Sequence, residues 1–141
     1  MYIIESEHFF DAAHFLKSYQ GKCSNIHGHR WRVIARIASD QLSDEPQTRG
    51  MVMDFKDVKE SLRVLTEEFD HTLIIEKGSL NPLTLHALLD EGFAVKEMDF
   101  RPTAEHFARY FYTRLHKTHV PVIEVSVYET PRNCASYRED L

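Results

Sequence analysis

The chain has 141 residues, 43% hydrophobic and 28% charged, with a formal net charge of −5. That length points to a single domain over residues 1–141, its apolar content excludes disorder, and an acidic balance with no basic stripe excludes a nucleic-acid partner. No apolar run approaches the roughly 20 residues of a membrane-crossing helix and Met1–Glu5 lacks a signal-peptide layout, so no membrane partner and a cytoplasmic location are expected, with Cys23 and Cys134 both reduced.

The first predicted element is a strand over Tyr2–Phe10, rich in aromatic and β-branched residues. His29–Ile37 alternates strictly: His29, Trp31, Val33, Ala35 and Ile37 share one parity, and Arg30, Arg32 and Arg36 the other, the pattern of a half-buried strand. Ser39–Gly50 is polar and reads as an exposed connection, and Gly50–Asp54 as a fourth, short strand. Asp54 is a good N-cap for a helix whose apolar stripe is Phe55, Val58, Leu62, Leu65 and Phe69. The stretch from about Glu76 to Arg101 is irregular, with a short helix near Thr84–Glu91. A second main helix opens at Pro102-Thr103, with Thr103 as N-cap and Ala104, Phe107, Ala108, Phe111 and Leu115 as its stripe. Val122–Glu129 alternates again, with Ile123, Val125, Val127 and Glu129 on one face. The order gives an α+β fold, two helices on one face of a mostly antiparallel sheet.

Nine histidines are unusual for this length. His27 and His29 flank Gly28, and residues i and i+2 of a strand point to the same face, so both imidazoles converge on one ion. His14, on the strand that would pair with them, is the best third ligand. Three neutral histidines describe a catalytic zinc site with an open position. Cys23, four residues before His27, has two readings: a fourth, structural ligand that closes the site, or a group standing beside it.

Cys23 lies in the polar, turn-rich stretch Gly21–Asn25, where a thiol is accessible as a nucleophile or base or else idle. Cys134 has no histidine pair beside it and reads as structural or incidental. Asp70-His71 follows the first helix; a carboxylate beside an imidazole fixes its tautomer, although adjacent residues do not automatically face each other and a solvated helix end is the plainer reading. Glu129 sits on the inward parity, where a carboxylate needs a ligand that donates hydrogen bonds, such as the N–H fork of a guanidine-like edge, unless the strand frays into water. Glu105 lies in the first turn of the second helix, where the dipole favours a carboxylate in any case.

Phe10-Asp11-Ala12-Ala13-His14, Cys23-Ser24-Asn25-Ile26-His27-Gly28-His29, Asp54-Phe55, Phe69-Asp70-His71, Pro102-Thr103-Ala104-Glu105 and Val127-Tyr128-Glu129-Thr130 together resemble the 6-pyruvoyl-tetrahydropterin synthase superfamily, in order through nearly the whole chain. The resemblance implies the tunnelling fold, whose sheets join into a barrel in a homo-oligomer, a trimer or a hexamer, with active sites between subunits. It implies His14, His27 and His29 as Zn2+ ligands, Cys23 as general base, Asp70 and His71 as its partners in proton transfer, Glu129 as the anchor of the pterin ring, and Thr103 and Glu105 close to the pterin. Three residues between Cys23 and His27 are similar to the bacterial 6-carboxytetrahydropterin synthases of queuosine biosynthesis, a longer spacing to the animal pyruvoyl enzymes. A branch that cleaves dihydroneopterin carries glutamate where Cys23 stands. The expected substrate is a pterin triphosphate, with Lys17, Lys22, Arg30 and Arg32 near the site in sequence. The alternatives are a 6-pyruvoyl-tetrahydropterin synthase and a non-catalytic zinc- or pterin-binding protein. The segment from about Ile75 to Arg101 is longer than in the shortest members, implying a lid or an interface element.

Overall fold

The computed structural model describes residues 1–140. Two long strands, β1 (Tyr2–His14) and β2 (His27–Ser39), pair antiparallel from Tyr2↔Ser39 to His14↔His27. They are followed by α1 (Phe55–Glu67), β3 (Thr72–Glu76), α2 (Pro82–Asp90), β4 (Val95–Met98), α3 (Ala104–Lys117), β5 (Val122–Thr130) and β6 (Asn133–Tyr137). The sheet order is β4-β3-β1-β2-β5-β6. β2, β5 and β6 continue the antiparallel ladder, while β3 pairs parallel with β1 over Ala12–His14 only and β4 parallel with β3.

The expected α+β layout stands, in a curled sheet. α1 and α3 lie on one face and close the core with the inward residues of β1, β2 and β5. Phe10 stacks on Trp31 with ring centres 5.7 Å apart, and Phe69, Phe107 and Phe111 surround them. Trp31 is fully buried, and its indole N–H donates to the Ala12 carbonyl at 3.2 Å, so no polar group is stranded. Asp54 caps α1 by accepting from Lys56 N–H at 2.9 Å, and Thr103 caps α3 by accepting from His106 N–H at 3.2 Å. On the opposite sheet face the arginines meet acids, Arg32 with Glu7 at 3.6 Å and Arg36 with Glu5 at 3.7 Å, exposed pairs that contribute little stability.

Several details differ from the sequence reading. Gly50–Asp54 forms no strand: Ser43 N–H donates to Met51 O and Gly50 N–H to Ser43 O, so this backbone closes a local loop. Phe55, expected in the α1 stripe, is exposed. On β5, Val122 is buried and Ile123 only partly, because the ladder with β2 shifts register between Arg36 and Ile37. The 76–101 stretch holds β4 as well as the short helix, and β3 and β6 are additional strands.

Candidate functional site

Ligand nitrogens of His14, His27 and His29 lie within 4.8 Å of one another. The antiparallel register sets His14 opposite His27, and His29 follows two residues along β2 on the same face. Among the described residues this trio is the one group of three or more histidine, cysteine or acidic side chains close enough to share an ion. Cys23 is not part of it; its exposed thiol sits in a 3-10 turn, Lys22–Ser24.

The ring orientations fit a metal. His14 Nδ1 lies 2.8 Å from the Pro102 carbonyl and His27 Nδ1 2.7 Å from the Asn25 carbonyl. A carbonyl only accepts, so each Nδ1 carries the proton and each Nε2 presents a lone pair. The Nε2 atoms of His14 and His29 are buried and have no hydrogen-bond partner. Buried acceptors without partners are costly, and a divalent cation satisfies them. Burial lowers the His14 pKa to about 4, against the Pro102 hydrogen bond, and the nearby His27 and His29 charges push the same way. Burial, then His27, lowers that of His29. Both rings are thus held in the neutral form that binds metal.

Glu129 reaches this cluster from β5, its Oε1 3.9 Å from His14 Nε2, beyond hydrogen-bond range. It is half-buried, and desolvation, reinforced by Glu105, raises its pKa while His27 opposes. The inward placement read from the strand alternation is therefore observed, and Glu105 is near enough to be felt. His29 and Glu129 both line a cavity of about 490 Å³ with Phe9, Tyr128, Arg30 and Arg32. Larger space exists beside the β1–β2 loop, but no residue of the histidine cluster lines it. Arg32 lies over the Tyr128 ring at 4.1 Å and Arg30 over Phe9 at 5.1 Å, so both guanidinium groups are held at the cavity wall.

Asp70 and His71 do face each other, with Nδ1 2.9 Å from Oδ2. His71 takes a left-handed backbone, φ 61°, which turns its ring back onto the carboxylate. The other Asp70 oxygen accepts from Asp11 N–H at 2.8 Å, and His71 N–H donates to Asp11 O. The Asp11 bond, then His71, holds the Asp70 carboxyl below its usual range. This network ends at Asp11; its described hydrogen bonds do not reach Cys23. Sequence reasoning missed Asp11 as a tether and Pro102 and Asn25 as ring-orienting acceptors. All three act through backbone groups, which carry no residue-type signal.

Residues 3–140 match the family described as 6-pyruvoyl tetrahydropterin synthase. The chain is 34% identical over 145 aligned residues to the 6-carboxy-5,6,7,8-tetrahydropterin synthase of Haemophilus influenzae, covering 99% of this chain and 100% of that one. It is 36% identical to the enzyme of that name from Aquifex aeolicus, over 84% and 77% of the two chains. Among solved structures, an uncharacterised protein from Wolinella succinogenes matches with TM-score 0.79 at 23% identity, covering 99% and 98%. The 6-pyruvoyl tetrahydropterin synthase of Caenorhabditis elegans matches with TM-score 0.69 at 22% identity, covering 99% and 96%. At these identities the two structures bear on the fold.

Proposed function

This chain belongs to the 6-pyruvoyl tetrahydropterin synthase family, and we propose that it is a zinc-dependent 6-carboxytetrahydropterin synthase. The substrate is 7,8-dihydroneopterin triphosphate, converted with water to 6-carboxytetrahydropterin, acetaldehyde and triphosphate, on the route to queuosine and related deazapurines. The observation that carries this reading is the trio of imidazoles with two buried, partnerless Nε2 atoms beside Glu129 and a cavity of about 490 Å³. Volumes of roughly 300–1,000 Å³ suit small-molecule sites, and the named relatives are 6-carboxy-5,6,7,8-tetrahydropterin synthases.

His14, His27 and His29 would hold a zinc ion, which when bound would supply Lewis-acid polarisation of the substrate's side-chain hydroxyls. Glu129, in a desolvated position, receives the amino-pyrimidine N–H donors of the pterin. Thr103 and Glu105, at the start of α3, flank the same ring. Arg30 and Arg32, which line the same cavity, are the candidates in this reading to meet the triphosphate. Cys23 removes a proton from the substrate side chain, and His71, oriented by Asp70, returns one. Because the Asp70-His71 network does not reach Cys23 within a chain, the reading includes a homo-oligomer, a trimer or hexamer with barrelled sheets, whose sites lie between subunits. A cytoplasmic location belongs to the same reading; among the described residues no helix is long and apolar enough to cross a membrane.

The test is incubation of the zinc-loaded protein with dihydroneopterin triphosphate and mass spectrometry of the products. 6-Carboxytetrahydropterin with acetaldehyde is expected. A product that retains the side-chain carbons would make the chain a 6-pyruvoyl synthase instead, and an unchanged substrate would overturn the enzymatic reading.

A further inference from the structure

Cys23 sits in a connection that packs little of itself against the core. Residues 17–26, between β1 and β2, are all exposed. The loop is closed at its base, where Leu16 N–H donates to Cys23 O at 2.8 Å. The 3-10 turn that carries the thiol is closed by Ser24 N–H on Gly21 O and Asn25 N–H on Lys22 O. Between these points Ser18 takes a left-handed backbone, φ 67°, which a serine keeps only where its surroundings hold it.

One side chain reaches this loop from far along the sequence. Arg101 Nη2 donates to Lys17 O at 3.1 Å. Among the described residues this is the one hydrogen bond that residues 17–24 receive from outside the β1–β2 connection. The same guanidinium lies over the Tyr19 ring, 5.9 Å from its centre. Tyr19 in turn lies against Gly21, where a Cβ would come within 2.7 Å of its Cε1, so glycine lets the ring close onto the backbone. Gly21 is the residue that opens the turn of Cys23. Arg101 therefore grips the loop at Lys17 and, through Tyr19, at the start of the turn that bears the thiol.

Arg101 is itself firmly seated. Its Nε is buried, so the side chain lies along the protein instead of reaching into water. Its carbonyl accepts from Thr103 N–H at 2.8 Å and from His106 Nδ1 at 2.7 Å, at the start of α3. Among the described residues no carboxylate pairs with it. The next residue, Pro102, offers its carbonyl to His14. One short segment thus orients a ring of the histidine cluster and holds the loop of Cys23.

We propose that Arg101 is a positioning residue for Cys23: it fixes residues 17–21 against the start of α3 and so sets the place of the thiol relative to the three histidines. The inference rests on the reading of Cys23 as a proton-transfer group. A planar guanidinium suits the task, because it donates to a carbonyl and covers a ring at once, which an ammonium does less well.

The experiment pairs steady-state kinetics of the zinc-loaded protein on dihydroneopterin triphosphate with hydrogen exchange read by mass spectrometry. Displacing a reacting group by about 1 Å costs up to roughly 10²-fold in rate. Arg101→Ala should therefore lower kcat about 10–100-fold with KM and zinc content unchanged, and Arg101→Lys, which keeps a donor for Lys17 O, should recover part of the loss. Because Arg101 acts through the thiol, adding Arg101→Ala to Cys23→Ala should lower the residual turnover no further. Exchange across residues 15–26 should quicken in Arg101→Ala while β1, β2 and α3 exchange as in the wild type. A raised KM with unchanged kcat would make Arg101 a substrate contact, and losses that multiply in the double variant would make its effect independent of Cys23. Either result, or unaltered loop exchange, would overturn the proposal. An inactive wild type would sink the enzymatic reading instead, and loop exchange, which needs no turnover, would then decide alone. Should Arg101→Ala misfold, Tyr19→Ala, which removes an exposed ring, decides by the same readouts.

Discussion

Acid should destabilise the metal-free protein through His14, by an amount that can be worked out. His14 has a folded pKa of about 4 against an ordinary value of 6.5, chiefly because burial disfavours its charged form. Between these values the unfolded chain holds a proton that the folded chain does not, so stability rises with pH across this window. The contribution is present above pH 6.5 and is lost as pH falls to about 4. Two and a half pH units at about 1.36 kcal/mol each set an upper bound of about 3 kcal/mol, lowered by solvent at the open side of the cluster. Carboxylates titrate in the same range, and Glu129, with a raised pKa, contributes in the opposite direction, losing stability as pH rises. The measurement must therefore be a difference. His14→Asn keeps an N–H group for the Pro102 carbonyl and removes the titration. Urea unfolding of both chelator-treated proteins at pH 7, 5.5 and 4 should show the wild-type advantage shrinking by about 2–3 kcal/mol. A gap that stays constant with pH would mean that His14 titrates normally when folded, and the account of a buried neutral ligand would be wrong.

Four further outcomes are expected. Cys23→Ala should fold, retain zinc, and lose about 10²–10⁴-fold in kcat with KM little changed, as for a missing acid–base group; normal turnover would remove the thiol from the chemistry. His27→Ala should fall well below roughly one zinc ion per chain by elemental analysis, since two imidazoles rarely hold a catalytic ion. Glu129→Gln should lower kcat/KM by about 10–100-fold, the loss of a charged hydrogen-bond acceptor, with zinc content intact. Phe107→Ala, cut from the middle of the aromatic cluster, should cost about 3–5 kcal/mol in urea unfolding while metal stoichiometry holds.

Much of this site was legible because strand alternation is a strict rule. His29 and Trp31 on one parity, and Glu129 with Val125 and Val127 on another strand, had to share the helix-covered face, and they do. The α1 and α3 stripes were legible for the same kind of reason, a sustained helical period ending in caps. β3 and β4 were not: five and four residues are too few for a period to emerge. Nor could spacing show that Asp70 meets His71, because that contact depends on one left-handed residue and two hydrogen bonds to Asp11. The register shift on β5 was equally hidden, since a bulge changes which parity is buried without altering the sequence pattern.

Both halves of the proposed chemistry hang on β1, and that explains their separation. His14 ends the strand and points to the covered face with His27 and His29. Asp11, three residues earlier, offers its N–H and C=O in the plane of the sheet, on the side away from β2, where β3 pairs only with Ala12–His14. Asp70 and His71 are therefore pinned at an edge of the sheet, and the imidazole is left 79% exposed. A general acid gains nothing from such exposure, since water dilutes both its orientation and its electrostatic effect. An edge with free backbone groups is, however, where another strand adds. A subunit arriving there would cover His71 and bring its own site against it, so the proton-transfer pair of one chain would serve a substrate bound by another. Dilution to monomers should then abolish turnover while leaving zinc bound, since the three ligands belong to a single chain.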